Sequence, residues 1–191
     1  MSLTPSDAEA AQPAWVGDVL RFWFEELTKD QWFAKSDRLD AQIRDRFLAL
    51  NEQLVASEAS GVTTPRMLLA AIIVLDQFSR NMFRSTPRAY AADSIARRLS
   101  RTAIENGLDA HMTEDERSFL YLPFQHSEDR EDQALSLRLY EKLGNDELTG
   151  FARAHKSIID RFGRFPHRNE TLGRTSTAEE LALLKEPMGA F

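Results

Sequence analysis

The sequence predicts an all-α protein, and three features of the chain indicate this. Apolar residues recur at helical spacing along most of its length, and helix start signals alternate with glycine stop signals. No segment alternates apolar and polar residues with a period of two, and the one Asn-Gly pair, Asn106-Gly107, does not join two such segments as a hairpin turn would. We expect about eight helices. Because the connections between them are short, these helices are expected to stack as antiparallel hairpins.

The first half of the chain carries the clearest helical patterns. Pro13 opens a helix rich in aromatic residues, and the Trp32-Phe33 pair that follows it is expected to plug the core. A second helix is predicted from Asp37 to about Ser57, with an i,i+4 pair between Asp40 and Arg44 on its polar side. Its apolar stripe consists of Leu39, Ile43, Phe47, Leu50 and Leu54.

Start and stop signals define the remaining helices. Thr64 and Pro65 begin a nearly continuously apolar helix, which we expect at the centre of the fold. Pro123 must kink or end the helix in which it lies. Glycine stops are expected at Gly107, Gly144 and Gly163. Further starts are predicted at Thr86-Pro87, at a capping box from Thr113 to Glu116, at Ser127, at Asn145 or Asp146, and at a capping box from Thr177 to Glu180, whose helix Pro187 ends.

Length and composition favour a single domain. The chain has 191 residues, of which 1–12 are predicted to form a disordered tail and 13–191 one helical domain. Cysteine is absent, which excludes disulfides, thiolate metal sites and a cysteine nucleophile. The N-terminus lacks the pattern of a signal peptide, and no apolar stretch has the length of a membrane span. We therefore expect a cytoplasmic protein without a membrane partner.

The distribution of charge restricts the partners further. A net charge of −6 argues against nucleic acid, because binding to phosphates requires a basic face. Two segments are nevertheless basic, since residues 76–101 and residues 153–174 each carry six basic side chains against two acidic ones. These cations need either internal acids or an anionic ligand as partners.

Three polar segments are candidates for function, and the first ends the central helix. Leu75 is followed by Asp76 and Gln77, and then by Arg80 and Asn81. Polar groups at the end of a buried helix either line a pocket or pair locally. The structural explanation is an i,i+4 pair between Asp76 and Arg80 together with helix caps.

The second candidate segment is His126-Ser127-Glu128-Asp129. His126 and Asp129 are three residues apart, a spacing that could place both on one metal ion, with His155 as a further ligand. The structural explanation is a helix cap with acids in the first turn, where the helix dipole favours them. His155 lies on the apolar stripe of its own helix, so the sequence equally predicts an ordinary buried histidine.

The third candidate segment runs from Arg161 to Asn169 with the sequence RFGRFPHRN. Phe162 and Phe165 are expected to anchor it in the core around a Gly/Pro break. Arg164, together with Arg161 or His167, is then expected to bind an anion, while the remaining arginine, such as Arg168, pairs with an acid. The structural explanation is that all of these arginines neutralise acids of neighbouring helices.

The blocks LDQFSRN, LPFQHSED, RFGRFPHRN and LGRTST resemble the hallmark blocks of a bacterial family known as domain of unknown function 924. VLRFWFEEL and the WF pair fit the same pattern, so the resemblance covers roughly residues 18–184. It implies a tetratricopeptide-repeat-like α-α superhelix and no established activity. Ser79 departs from the proline that is frequent at its position. The matching polar positions are Asp76, Gln77, Arg80, Asn81, Asp93, His126, Glu128, Asp129, His155, Arg161, Arg164, His167, Arg168 and Asn169.

The residues leave three functions open. The first is a binding domain whose arginines, histidines and acids line one pocket for a small phosphate- or carboxylate-bearing ligand, or for an acidic peptide end. The second is a hydrolase that uses the same pocket, either metal-assisted or through a histidine–carboxylate pair, with His126, Glu128 and His167 as candidate catalytic residues. The third is an interaction scaffold with internally paired charges. No cofactor is predicted, and a divalent metal belongs only to the second alternative.

Overall fold

In the computed structural model, which describes residues 12–186, the described chain forms nine continuous helices and no strand. The all-α prediction is therefore confirmed. The predicted tail, except for residue 12, lies outside the described residues, as does Pro187. Within residues 12–186, no helix combines the length and the apolar character that crossing a lipid bilayer requires.

Four helices form the first half and five the second. The first four are α1 (Ala14–Arg21, continued by the π-helical segment Phe22–Glu26), α2 (Lys29–Phe33), α3 (Asp37–Ala56) and α4 (Pro65–Ile72, the π-helical segment Ile73–Phe78, and Ser79–Met82). The other five are α5 (Asp93–Glu105), α6 (Glu114–Gln125), α7 (Arg130–Leu143), α8 (Asp146–Phe162) and α9 (Ala178–Leu183). Single 3₁₀ turns occur at Pro87–Tyr90 and Pro166–Arg168.

Most predicted helix ends are confirmed by their hydrogen bonds. The Thr64 hydroxyl accepts the N–H of Met67, and both predicted capping boxes are formed, at the starts of α6 and α9. Asn145 caps α8. The three predicted stop glycines have φ angles of 64° (Gly107), 80° (Gly144) and 69° (Gly163), in the left-handed region that glycine enters without a steric penalty.

Two predicted helix boundaries are wrong. Thr86-Pro87 begins a 3₁₀ turn, and α5 starts only at Asp93. Asp129, rather than Ser127, caps α7, because its carboxylate accepts the N–H groups of both Glu131 and Asp132. Pro123, which was expected to kink or end its helix, lies two residues before the last residue of α6, Gln125. Its missing N–H falls in the last turn, where it removes one intrahelical bond.

Two predicted side-chain positions are also wrong. Asp40 does not pair with Arg44. It contacts Arg84 and accepts an N–H of Asn81 at 2.7 Å, because the end of α4 packs against this side of α3. Trp32 is buried as expected, whereas the side chain of Phe33 is 69% exposed, since Phe33 lies at the end of the short helix α2.

Helix α4 is the buried centre of the fold, as predicted. It packs against α1, α3, α5 and α6, and every residue from Leu68 to Ser79 is buried. Aromatic rings from three helices meet around Phe78, which lies 4.8 Å from Phe47 and 5.5 Å from Trp23 between ring centroids. Helices α6, α7 and α8 pack consecutively, as expected of neighbouring hairpins.

Candidate functional site

The candidate site is built on a π-helical turn of the buried helix α4. This turn spans Ile73–Phe78 and contains Asp76, whose side chain is fully buried. The Val74 carbonyl in this turn accepts an N–H of the Asn51 side chain at 3.1 Å and the Ser79 hydroxyl at 3.5 Å. π-helical turns inside α-helices are frequent at functional sites, and this one determines where the Asp76 carboxylate lies.

His126 is held by Asp76. Its Nδ1 lies 2.9 Å from both carboxylate oxygens of Asp76, and because a carboxylate can only accept, Nδ1–H is the donor. Nε2 then carries the lone pair on the opposite edge of the ring. The side chain of His126 is 15% exposed while that of Asp76 is 1% exposed, so His126 is the member of the pair that reaches the surface.

Arg80 links Asp76 to a second carboxylate, that of Asp93. Its guanidinium contacts the Asp76 carboxylate at 3.0 Å and donates to the Asp76 backbone carbonyl at 2.6 Å. The same guanidinium bonds both oxygens of Asp93 at 3.1 Å. Gln77 donates to Asp76 at 2.6 Å. The expected i,i+4 pair is thus present, but it forms part of a larger network.

Arg168 connects the C-terminal segment, residues 164–176, to the network of Asp76, Arg80 and Asp93. It donates to the His126 backbone carbonyl at 2.9 Å and contacts Asp93 at 3.5 Å. The ring of Tyr90 lies 4.6 Å from the guanidinium carbon of Arg168 and 5.7 Å from that of Arg80. Reasoning from the residues alone missed Tyr90, because an aromatic residue in a 3₁₀ turn carries no distinct sequence signal.

Two further imidazoles lie beside His126. The rings of His126 and His155 are 6.2 Å apart between centroids, and Phe165 lies 5.6 Å from both His155 and His167. His155 is buried, as its apolar stripe predicted, and its Nδ1 lies 2.9 Å from the Phe151 carbonyl. We refer to the whole group as the histidine–arginine cluster. It consists of Asp76, Arg80, Tyr90, Asp93, His126, His155, His167 and Arg168.

The electrostatics of the cluster favour an ionised Asp76 and neutral histidines. Burial alone would raise the pKa of Asp76, but the nearby charge of Arg80 and the hydrogen bond from His126 hold that pKa well below its usual value. Burial lowers the pKa of His126, an effect that Asp76 opposes and Arg80 reinforces. Burial also lowers the pKa of His155 to about 3 and that of His167 to about 4.

Several buried polar atoms of residues 167–174 have no hydrogen-bond partner in the described part of the chain. They are Nδ1 of His167, Nε of Arg168, Oδ1 of Asn169 and Nε of Arg174. Buried polar atoms are nearly always paired with protein or with ordered water. Such a concentration beside one cluster therefore needs an explanation. Bound water or a bound polar ligand would supply one.

The structure turns the first two arginines of the RFGRFPHRN segment away from the cluster. Arg164 pairs with Glu180 at 2.6 and 2.8 Å, and the exposed Arg161 pairs with Glu179 at 2.5 Å. The expectation that Arg164 and one neighbour jointly face a ligand therefore does not match these contacts. Phe165 is fully buried as an anchor, while Phe162 is only partly buried.

The remaining candidates lie at the border of the cluster or outside it. Glu128 bonds Arg174 at 2.7 and 2.9 Å and accepts the N–H of Phe165 at 2.7 Å, so it fastens the C-terminal segment next to the cluster. Asp129 is engaged as the cap of α7, and Asn81 bonds Asp40. No role in the site was predicted for Arg174, although it lies in the LGRTST block.

The set proposed for a metal consists of His126, Asp129 and His155. Nδ1 of His126 is bonded to Asp76, and one carboxylate oxygen of Asp129 caps its helix. In the part of the chain that the structure describes, no group of three or more histidines and acids is arranged to hold a metal ion. A cavity of about 180 Å³ beside Asn51 and one of about 390 Å³ beside Trp32 are lined by other residues than those of the cluster, which is partly exposed.

Comparison with known proteins supports the fold and the family. A solved structure of a protein of unknown function from Agrobacterium tumefaciens is similar to this chain, with a TM-score of 0.85 and 39% sequence identity. The similarity covers 90% of this chain and 97% of that one. None of the curated proteins matches the chain. The model of a family described as bacterial protein of unknown function (DUF924) matches residues 19–188, and the chain therefore belongs to that family.

Proposed function

We propose that the histidine–arginine cluster binds a small anionic ligand that carries a carboxylate or a phosphate. The observation that carries this proposal is that Nε of Arg168 and Nε of Arg174 are buried donors without a partner in the described chain, beside the partly exposed side of the cluster. Arg168 itself is 6% exposed. An acceptor-rich ligand, alone or through bridging water, would satisfy such donors.

The accessible side of the cluster supplies the first contacts. The side chain of Arg80 is 20% exposed, and its Nε and one N–H of Nη2 remain for a ligand beyond the bonds to Asp93 and Asp76. The side chain of His126 is 15% exposed, and its Nε2 is not the nitrogen that bonds Asp76. Arginine forks and imidazoles are common partners of carboxylates and phosphates.

The charge balance makes this binding dependent on pH. Asp76 and Asp93 neutralise Arg80 and Arg168, and the neutral histidines add no charge. An anion that contacts His126 favours its protonated form and raises its pKa. Ligand binding is therefore accompanied by proton uptake. Affinity should increase as the pH falls toward and below the ordinary imidazole pKa of about 6.5, because burial places the pKa of the unliganded His126 lower still.

A second candidate function is acid–base catalysis at the same place. The pairing of His126 with Asp76 favours it, because a buried carboxylate that fixes Nδ1–H leaves Nε2 as a general base toward solvent. Arg80 would then bind the negatively charged part of a substrate. With this geometry, the histidine–carboxylate form of the hydrolase fits better than the metal-assisted form.

The test combines a binding panel with a turnover assay. Thermal shift and calorimetry with phosphate, pyrophosphate, succinate and citrate should show stabilisation of about 2.7 kcal/mol at a hundredfold excess over the dissociation constant. His126→Gln and Arg80→Gln should each weaken binding about 10- to 150-fold, as expected for a charge-assisted contact. Arg161→Ala is the matched control, because it removes an arginine of the neighbouring exposed pair.

The outcomes separate the candidate functions. Binding that is lost in both cluster variants and kept in the control supports the anion site. Turnover of p-nitrophenyl phosphate or p-nitrophenyl acetate that disappears in Asp76→Asn would favour the enzyme. No stabilisation by any probe, in wild type and variants alike, would contradict both and favour the scaffold with paired charges. An acidic peptide end is distinguished by the panel itself, because a site selective for carboxylates would respond to succinate and citrate and not to phosphate or pyrophosphate.

A further inference from the structure

The cavity beside Trp32 is remote from the histidine–arginine cluster and has a different chemistry. Its volume is about 390 Å³, within the range of small-molecule sites. It lies between the turn that starts α2 and the turn that starts α6. Its lining consists of Phe24, Leu27, Thr28, Lys29, Trp32, Thr113, Asp115 and Glu116.

Two aromatic walls meet in this cavity nearly at a right angle. The rings of Phe24 and Trp32 have centroids 5.8 Å apart and an interplanar angle of 81°. The ring of Phe119 packs against both, with its centroid 5.8 Å from that of Phe24 and 5.0 Å from that of Trp32. The Trp32 indole N–H donates to the Trp23 carbonyl at 2.7 Å, which fixes the orientation of the ring. The corner is therefore rigid before any ligand arrives.

The polar part of the cavity is acidic and already holds an ammonium group. Lys29 Nζ lies 5.8 Å from the centroid of the Trp32 ring and 2.6 Å from Asp115. One oxygen of Glu116 accepts the N–H of Thr113 at 2.8 Å, which leaves its second oxygen for another partner. The side chain of Lys29 is 71% exposed, so little packing opposes its departure.

We propose that this aromatic corner binds the alkylammonium group of a small organic cation, which displaces Lys29. The position of Lys29 shows that the corner accommodates a positive nitrogen over an indole face beside a carboxylate. Aromatic walls combined with acids are the usual receptor for quaternary ammonium groups. When Lys29 moves into solvent, the lining acids Asp115 and Glu116 are left without their internal cation.

The test uses choline and its uncharged carbon isostere, 3,3-dimethylbutan-1-ol, on the full-length protein. Amide and indole NMR signals should report binding, because the Trp32 indole N–H gives a separate resonance. Choline should shift this resonance and those of Thr113 and Lys29 in a saturable manner, while the isostere should not. Lys29→Ala should tighten choline binding about 2- to 5-fold, and Asp115→Asn should weaken it by a similar factor, as for partly exposed charge contacts.

Glu114→Gln is the matched control. Glu114 lies one residue from Asp115 but bonds Asn145 and does not line the cavity, so its removal should leave choline binding unchanged. Equal binding of choline and the isostere would overturn the proposal, because the cavity would then select for apolar surface and not for charge. Absence of saturable shifts in both wild type and Lys29→Ala would overturn it as well. Lys29 and Glu114 are exposed and Asp115 is partly exposed, so none of the three substitutions removes a buried group.

Discussion

At the scale of the residue, the most consequential side chains are ionisable groups that the fold removes from water. Asp76 and Arg80 are four residues apart, so their pairing could be predicted from helical spacing. The bond between Asp76 and His126 could not, because fifty residues separate them in the chain and only the packing of α6 on α4 brings them together. The residue types thus indicated which side chains could form ion pairs and hydrogen bonds, but not which residues distant in the chain they would contact.

The buried imidazole of His155 makes the stability dependent on pH. Its pKa is lowered from 6.5 to about 3, chiefly by burial, so below pH 6.5 the unfolded chain binds a proton that the folded chain does not bind. The free energy of unfolding should therefore decrease as the pH falls from 6.5. Between pH 6.5 and 4.5, His155 alone should lower the free energy of unfolding by about 2–3 kcal/mol.

Urea denaturation at several pH values measures this effect. In His155→Gln, the loss of stability over the same pH interval should be smaller by about 2–3 kcal/mol, whatever the stability of the variant at neutral pH. His111→Gln, at an exposed position, is the control and should keep the wild-type slope. An unchanged slope in His155→Gln would show that this histidine is not the group that titrates.

At the scale of the element, apolar stripes and caps predicted most helices, and the π-helical turn of α4 escaped prediction. An apolar stripe predicts a helix where the opposite face is exposed to solvent. This is the case in α3, whose residues Leu39, Ile43 and Phe47 are all buried. The run from Met67 to Leu75 is apolar on all sides. It therefore has no boundary between an apolar and a polar face, and without that boundary a change from α-helical to π-helical spacing cannot be recognised in the sequence. Prediction was equally poor for caps where two polar residues compete, as Ser127 and Asp129 do.

Asn51 should stabilise the π-helical turn, because its side chain is buried and donates to both the Val74 carbonyl and the Ser79 hydroxyl. Asn51→Leu removes these bonds and should lower the free energy of unfolding by about 1–3 kcal/mol. Chemical denaturation measures the loss. Gln53→Leu, at an exposed position of the same helix, should change stability by no more than about 0.5 kcal/mol. Equal stability of the two variants would argue against a role for Asn51 in this turn.

At the scale of the whole molecule, residues 164–176 pack against the connection between helices α6 and α7. Their attachment depends on the buried ring of Phe165, on the bond from Arg168 to the His126 carbonyl, and on Glu128. The excess of basic residues at 153–174 predicted that this segment needs either internal acids or an anionic ligand. Which acids it meets depends on long-range packing, and the sequence therefore could not assign Arg174 to Glu128 or Arg164 to Glu180.

Glu128→Gln should weaken the attachment of residues 164–176. The substitution removes a charge that receives two guanidinium bonds and one backbone N–H, and we expect a loss of about 1–2 kcal/mol after allowance for partial exposure. Hydrogen exchange should become faster in residues 164–176 and remain unchanged in α3. Glu131→Gln, at an exposed position in the first turn of α7, is the control. Uniform acceleration over all helices would indicate global destabilisation instead.

The π-helical turn also constrains the length of the chain. A π turn holds about one residue more than an α turn, and each residue of an α-helix accounts for about 100° of rotation. Loss of one residue between Ile73 and Phe78 would therefore return the turn to α geometry and leave the residues on either side, Arg80 included, at the same angle around the axis. The apolar character of the helix would hardly change. Loss of one residue elsewhere in α4 has no such compensation and would rotate the two parts of the helix by about 100° relative to each other.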